Sequence, residues 1–347
     1  MPNLLRVSIL MIAAILSGAP AIAHVPEEGT PVEQAQQLSA FGERPAFSPD
    51  GTRVTFVGKT YGDAYEIELA TGRVRNLTGQ FPHQGIVRVQ YLPNGDYILV
   101  APKRFTGPGS RFKLDLFVLA KDLRTGLRPL NQEVHEGIAL GPNGLIAWQQ
   151  VPAGSKLRDG ENWLTGALRV GLEHYVGRVA YRGGVPMLVD KQRIMTPPPS
   201  GCMFMEVQDF RNDGREIVFY AGCQDLGGPQ QMRIIGYDLK TRHYTTFLAT
   251  ADYAEVEGVA PDGKWASVEC GTRTPGAMVP PLDICRLELV PNGKLSRLII
   301  GTAPGSTEKV SNPVVSPDGK AVAFQSADGS IGDIGEGAGI YLMRLDK

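Results

Sequence analysis

Phe47-Ser48-Pro49-Asp50-Gly51 is the first copy of a turn that recurs along the chain, and an apolar run follows it directly, Arg53-Val54-Thr55-Phe56-Val57. A second full copy near the end, Val315-Ser316-Pro317-Asp318-Gly319, also precedes an apolar run. Four shorter versions lie between them: Pro93-Asn94-Gly95, Pro142-Asn143-Gly144, Asn212-Asp213-Gly214 and Pro261-Asp262-Gly263. Proline presets the first turn position, Asp or Asn suits the second, and glycine closes the hairpin in the left-handed conformation. Six copies of one hairpin predict six copies of one structural unit.

The spacing of these turns predicts the architecture. Their glycines lie 44, 49, 70, 49 and 56 residues apart, and the runs after them are rich in Val, Ile, Phe, Tyr and Trp. Several strands per unit at a period in the forties are typical of an all-β, six-bladed β-propeller. The interval of 70 residues gives the third blade about twenty extra residues and makes it the irregular one. The formal net charge of −1 offers no basic surface for nucleic acid.

The two ends of the chain are expected to meet. Blade six has room for only three strands before the chain stops, whereas Val32–Ser39 has the pattern of an outer strand without its own blade. We therefore expect the N-terminal segment to complete the last blade and close the ring, which removes exposed strand edges. A helix over 32–38 is the alternative, because several of these residues favour helices.

The first residues have the pattern of a targeting signal. Arg6 precedes the apolar stretch Val7–Leu16, and Ala21-Ile22-Ala23 is a cleavage signal of small residues. The pattern predicts a secretory signal peptide over 1–23, and a mature chain 24–347 that is one propeller, periplasmic or secreted. A retained anchor helix is the alternative, but the stretch is short for a membrane span, and no other stretch qualifies.

Four cysteines suit an oxidising compartment. Cys202 lies just before the inner strand of blade four and Cys223 just after the second strand, so antiparallel pairing brings them together. Cys270 ends the second strand of blade five, and Cys285 starts the third. We therefore predict the disulfides Cys202–Cys223 and Cys270–Cys285. A thiol or metal site is the alternative, but the chain contains no C-x-x-C spacing.

The repeated Ser-Pro-Asp-Gly turn, with Asn76-Leu77-Thr78 at the end of an outer strand, resembles the TolB-like, WD-like β-propeller repeat over residues 32–347. The resemblance implies the fold and says little about function, because the family includes periplasmic scaffolds, propellers attached to peptidases and sugar-processing enzymes. TolB carries a further domain before its propeller, and only about twenty residues separate the predicted cleavage site from blade one here. A role that depends on that domain is therefore not expected.

Propellers bind ligands at the mouth of the central channel. Two sets of loops form this face: the loops that connect one blade to the next, and the loops between the second and third strands of each blade. Candidates in the first set of loops are His83, His135, Glu136, Tyr253, Glu255 and Glu257. Histidines and carboxylates around one channel can hold a divalent metal or transfer protons; a polar, solvated channel entrance is the alternative. In the second set, Arg104 and Trp163 offer a cation and an aromatic ring for an acidic sugar or a peptide.

Two functions remain open at this stage. The first is an exported, non-enzymatic propeller that binds a protein or a cell-envelope polymer such as a polysaccharide. The second is a metal-assisted lyase or hydrolase acting on an acidic saccharide. The chain lacks a G-x-S-x-G elbow, an H-E-x-x-H motif and a phosphate-binding loop, which favours the first. No cofactor is predicted, although a divalent metal stays open.

Overall fold

The computed structural model describes residues 29–195, 198–273, 279–301, 308–328 and 337–345, and these form six sheets whose strands within each blade are antiparallel. Four of the sheets are blades of four consecutive strands, the sheet of blade five has a fifth strand, and the sheet of blade six takes its outer strand from the N-terminal segment. The all-β, six-bladed propeller is confirmed. The predicted signal segment 1–23 lies outside the described residues. Among the described residues, no helix is long and apolar enough to cross a membrane.

The strands follow one another from the inner to the outer edge of each blade. Two short strands come first, β1 (Thr30–Pro31) and β2 (Gln36–Ser39). Blades one to three comprise β3 (Glu43–Phe47), β4 (Arg53–Val57), β5 (Ala64–Glu68), β6 (Val74–Asn76); β7 (Arg88–Tyr91), β8 (Tyr97–Ala101), β9 (Leu114–Leu119), β10 (Arg128–Val134); and β11 (Ile138–Leu140), β12 (Leu145–Gln150), β13 (Glu173–Arg182), β14 (Val185–Ile194). Blades four to six comprise β15 (Cys202–Arg211), β16 (Glu216–Gln224), β17 (Gln230–Asp238), β18 (Tyr244–Thr250); β19 (Tyr253–Val259), β20 (Trp265–Gly271), β21 (Asp283–Glu288), β22 (Leu295–Ile300); and β23 (Glu308–Val315), β24 (Ala321–Asp328), β25 (Gly337–Arg344).

The N-terminal segment closes the ring as expected. Strand β2 pairs antiparallel with β25, with Gln36 opposite Leu342, and so becomes the outer strand of blade six. The predicted strand over 32–39 is too long, however, because Val32–Gln34 form a 3-10 turn. Strand β1 pairs in parallel with β22, so the same segment also contacts blade five.

The serine of the repeated turn explains why two copies are so similar. Ser48 Oγ donates to Asp50 Oδ1 at 2.6 Å and accepts from the backbone N–H of Arg53 at 3.0 Å. Ser316 makes the same two kinds of bond, to Asp318 Oδ1 and from the backbone N–H of Ala321. The side chains thus satisfy backbone groups that the tight turn leaves unpaired.

The hydrophobic core lies between neighbouring blades rather than at the centre of the ring. Trp148 of blade three is fully buried in a cluster with Val100 and Leu116 of blade two. The channel is therefore free to carry polar side chains, since the apolar faces of the sheets are already covered.

Both predicted disulfides are confirmed, Cys202–Cys223 and Cys270–Cys285. Cys202 lies opposite Cys223 in the β15–β16 ladder, and Cys285 lies on the strand next to Cys270. Each closes a short loop, of 21 and 15 residues of sequence separation, and can stabilise the fold by about 3 kcal/mol. Two disulfides are consistent with an extracytoplasmic location.

The extra residues of blade three form a helix in its second-to-third strand connection, α1 (Trp163–Val170). Asn162 caps it, since its Oδ1 accepts from the backbone N–H of Thr165 at 2.8 Å. Ala167 of the helix packs against Phe112 and Val151 in a small separate core. That packing fixes the helix beside the channel opening.

His174 on β13 is a buried histidine that gives stability a pH dependence. Its Nε2 donates to the backbone carbonyl of Met205 at 2.9 Å, and its ring packs against Phe219. Burial lowers the pKa of His174 to about 4, whereas an unfolded histidine titrates near pH 6.5. Between these values the unfolded chain binds a proton that the folded chain excludes. The contribution of His174 to the free energy of unfolding is therefore fully present above about pH 6.5. It is lost as the pH drops towards 4, and the total loss is about 3 kcal/mol.

We expect His174→Gln to have a shallower loss of stability than the parent chain between pH 7 and 4.5. Urea unfolding at several pH values measures the difference, and other titrating groups cancel because both proteins contain them. His243→Gln, at an exposed position, is the control and should follow the parent curve. Identical curves for His174→Gln and the parent chain would contradict the assignment.

Candidate functional site

A cavity of about 120 Å³ lies in the central channel, on the face that the loops between blades share with helix α1. We call it the channel cavity. Charged side chains of both signs line it: Arg44, Arg88, Arg111, Lys309, Glu136, Glu206, Glu255, Glu257 and Glu269. Phe204, Tyr220 and Tyr253 form an aromatic part of its wall. The cavity can hold an ion or a small charged group, but not a bulky ligand.

Bulges in the inner strands place several polar side chains at the channel. In β3, β15, β19 and β23 the register with the second strand shifts by one residue. The segments that contain the extra residue include Arg44, Gln208, Glu257 and Asn312. Arg44 and Asn312 have φ of 54° and 51° and each precedes a proline, a costly conformation for residues other than glycine. Bulges and strained backbone are concentrated near binding sites in many proteins.

The second strands of blades four, five and six each contribute one residue from an equivalent position. Tyr220, Glu269 and Gln325 lie opposite Glu206, Glu255 and Ser311 in their ladders, and all line the cavity. Each is six residues after the glycine of its hairpin turn, Gly214, Gly263 or Gly319. Sequence reasoning missed these residues, although counting six positions from the turn glycine would have found them.

Two of the buried arginines have carboxylate partners. Arg44 lies 2.9 Å from Glu43, and Arg111 lies 2.7 Å from Glu136. The guanidinium of Arg111 also stacks over the ring of Trp163 at 4.7 Å. Burial would raise the pKa of Glu136, but the charges of Arg111 and Arg44 hold it below its ordinary value. These two ion pairs hold the side chains of Arg44 and Arg111 in place at the cavity wall.

Other charges in the channel cavity have no partner among the described residues. Lys309 is only 5% exposed, and Glu206 and Glu257 are each 9% exposed, yet none of their side chains makes a hydrogen bond or an ion pair with the described residues. Arg88 is half-buried and also lacks a partner among the described residues. Buried charges without partners are costly in a folded protein, so the arrangement is suited to a charged ligand.

Three carboxylates come together on one side of the cavity. Oxygens of Glu255, Glu257 and Glu269 all lie within 4.8 Å of one another. Burial, and then the charge of Glu269, raises the pKa of Glu257 to about 8. Burial, and then the charges of Glu257 and Glu269, raises the pKa of Glu255 well above its ordinary value. At neutral pH this side of the cavity therefore takes up protons unless a cation replaces them.

Hydrogen bonds hold two of the three carboxylates in place. Glu255 accepts from the Tyr253 hydroxyl and, at 3.2 Å, from Gln208 Nε2. Glu269 accepts from the backbone N–H and from Nδ2 of Asn312, at 2.6 and 3.1 Å. Glu257 makes no such bond with the described residues, and its carboxylate remains available to a ligand.

Five of the candidates from the sequence line the channel cavity: Glu136, Trp163, Tyr253, Glu255 and Glu257. The other three, His83, His135 and Arg104, do not. Arg104 is exposed on the β8–β9 connection. The structure therefore brings together carboxylates and aromatic rings from the predicted set, but not the two histidines.

Both ring nitrogens of His83 are occupied. Its Nδ1 accepts from the backbone N–H of Gly85 at 3.0 Å, which leaves the proton on Nε2, 2.8 Å from Asp63 Oδ1. His135 is fully buried between the rings of Phe112 and Trp163, and its Nδ1 lies 3.2 Å from the Phe112 carbonyl. Burial lowers its pKa. These contacts give both histidines structural roles.

No protein-family model matches the chain, and a comparison with curated proteins found no match either. Solved structures do resemble it. The oligogalacturonate lyase from Vibrio parahaemolyticus has a TM-score of 0.54 at 10% identity, over 90% of this chain and 94% of that one. The calcium-binding protein regucalcin from Agrobacterium tumefaciens has a TM-score of 0.51 at 14% identity, over 91% of this chain and 97% of that one.

TolB from Acinetobacter baumannii is also among the similar structures, with a TM-score of 0.47 at 14% identity. The match covers 73% of this chain and 53% of that one, so this chain spans about half the length of that TolB. The neighbours thus include TolB, an enzyme and a calcium-binding protein, and at these identities they show the propeller fold alone.

Proposed function

We propose that the protein is an exported, non-enzymatic propeller that binds a cell-envelope polymer or protein on its loop face, by holding an anionic group of that partner in the channel cavity. The observation that carries the proposal is Lys309, a buried cation with no partner among the described residues. A carboxylate of a uronic acid or of a peptide is the chemical group that it would hold.

The surroundings of Lys309 favour an anion as its partner. Arg88 lines the same cavity and is likewise unpaired among the described residues, so the cavity offers a second cation to an anionic ligand. Burial and then the charge of Glu269 raise the pKa of Glu257 to about 8, so in the absence of a cation this carboxyl group can donate a hydrogen bond to the anion rather than repel it. Charge-assisted hydrogen bonds of this kind are about twice as strong as neutral ones.

The size of the channel cavity favours recognition of one terminal or side group rather than of a whole chain. About 120 Å³ is open inside, while α1 and the loops around the mouth offer the surface for the rest of the partner. Loops on a rigid scaffold commonly carry binding function. The aromatic rings of Phe204 and Tyr253 can cover the apolar face of a sugar ring.

A lyase or hydrolase acting on an acidic saccharide is the second candidate. Glu206 favours it, because burial and then the charge of Glu136 raise the pKa of Glu206 to about 7. A carboxylate that titrates near neutral pH is suited to general acid–base catalysis. Arg88 borders Gly137 together with Glu206 and could hold the acid group of such a substrate.

Calorimetric titration with galacturonate oligomers, against neutral oligomers of the same length, tests the proposal. We expect the acidic probe to bind and Lys309→Gln to weaken it at least about tenfold, the loss of one charged hydrogen bond. Lys264→Gln, an exposed lysine on a hairpin turn of the opposite face, is the matched control. Equal affinity in Lys309→Gln, or no binding of the acidic probe, would overturn the proposal, and consumption of the probe would establish the enzyme instead.

A further inference from the structure

The carboxylates of Glu255, Glu257 and Glu269 are arranged like one side of a cation site. Their oxygens lie within 4.8 Å of one another, a separation that a single ion can span. Glu255 and Glu257 come from inner strand β19, and Glu269 comes from β20 directly opposite Glu255. The β19 bulge places Glu257 outside the ladder, so its side chain is not tied to a neighbouring strand.

A further oxygen beside these carboxylates lacks a donor. Asn312 is 7% exposed, and its buried Oδ1 has no hydrogen-bond partner among the described residues. Its Nδ2 already donates to Glu269, and this bond orients the amide. Leaving a buried carbonyl oxygen unsatisfied is costly in a folded protein. A cation accounts for it, because an amide oxygen is a common ligand of hard cations.

Glu206 supplies a second, independent sign of a missing positive charge. It comes from blade four, lines the same cavity and is only 9% exposed. Among the described residues it has neither hydrogen bond nor ion pair. Its charge acts on both Glu255 and Glu257. Four carboxylates thus face one small space.

The site carries an excess of two negative charges when all of its groups are ionised. Four cationic side chains lie in or beside the cavity: Arg44, Arg88, Arg111 and Lys309. They face six carboxylates, the five that line it and Glu43, the partner of Arg44. One divalent cation restores neutrality when all of these groups are ionised.

The ligand atoms favour a particular class of cation. The nearest candidate ligand atoms are carboxylate and amide oxygens, and no histidine or cysteine is among the described residues that line the cavity. Such a set suits calcium, which takes six to eight oxygen ligands in flexible geometry. We propose that Glu255, Glu257, Glu269 and the Asn312 side-chain oxygen form a calcium-binding site, with Glu206 as an outer ligand.

This site shares the channel cavity with the anion position assigned to Lys309, but calcium alone is sufficient to test it. Calorimetry on chelator-treated protein should detect calcium binding in the parent chain. We expect Glu257→Gln to weaken it at least tenfold. That variant should remain folded, because it removes repulsion between buried carboxylates, and its thermal unfolding midpoint without calcium should equal or exceed that of the parent.

Glu216→Gln is the matched control, because Glu216 is a buried carboxylate of blade four that is paired with Arg211 outside the cavity. It should bind calcium like the parent chain. Lys309→Gln should also keep calcium binding, even where it loses the acidic oligomer, which separates this inference from the proposed function. Absence of calcium binding at millimolar concentration, unchanged binding in Glu257→Gln, or tighter binding of magnesium than of calcium would each overturn it.

Discussion

Deleting residues 29–39 should destabilise the propeller by roughly 5 kcal/mol and open the ring. The deletion removes β2 from blade six, together with the contacts of Val32, Ala35 and Leu38 with the cores beside blades five and six. These half-buried side chains account for about 2 kcal/mol. The ladder to β25 adds about 1 kcal/mol for each of about three hydrogen bonds. Urea unfolding measures the change.

The opened ring should also associate, because β25 becomes an exposed edge. Size-exclusion chromatography would then show dimers or larger species, and a synthetic peptide of residues 29–39 should restore the monomer and the stability. A shorter deletion of 29–35 keeps β2 and is the control, with a smaller loss. A monomer of unchanged stability after the full deletion would show that β2 does not close the ring in solution.

Replacing Arg111 by methionine should destabilise the protein by about 3–5 kcal/mol. Arg111 is the 2.7 Å partner of Glu136, and their side chains are only 10% and 9% exposed. Without the guanidinium, a buried carboxylate stays uncompensated, which is far more costly than the absence of the whole pair. The stacking on Trp163 is lost as well. Urea unfolding of the variant at pH 7 measures the effect.

The double variant Arg111→Met/Glu136→Gln should recover much of that loss, because the unpaired charge is gone. Arg215→Met is the matched control at an exposed pair, where Arg215 lies 2.7 Å from Asp238 with 56% of its side chain exposed. Exposed pairs contribute about 0–1 kcal/mol. If Arg111→Met costs no more than Arg215→Met, the buried pair does not stabilise the mouth of the channel.

The blade pattern could be predicted because it depends on residues that are close in the chain. The turn Ser48–Gly51 carries its own hydrogen bonds, and the apolar run after it leaves one choice of register. The same short-range logic gave Cys202–Cys223, since antiparallel neighbours bring the two ends of a hairpin together. The twenty extra residues of blade three were visible as a length, but their helix was not predicted.

The candidate site could be predicted only in part. The loops between blades pointed to Glu136, Glu255 and Glu257, because every such loop leads to the channel mouth. His83 and His135 occupy equivalent loops, yet local partners such as Asp63 and the Phe112 carbonyl hold their rings away from the cavity. Loop position therefore predicted the region and not the direction of each side chain.

The sequence alone determined the six-bladed repeat, the closure by the N-terminal segment and both disulfides, because turn chemistry and antiparallel pairing act over short distances. Only the tertiary structure decided which charges meet. Glu206, Glu257 and Lys309 come from three blades, and one-residue bulges turn some of these side chains to the axis. Burial around the channel then shifts the pKa of their carboxyl groups, and burial depends on the whole ring rather than on any segment of it.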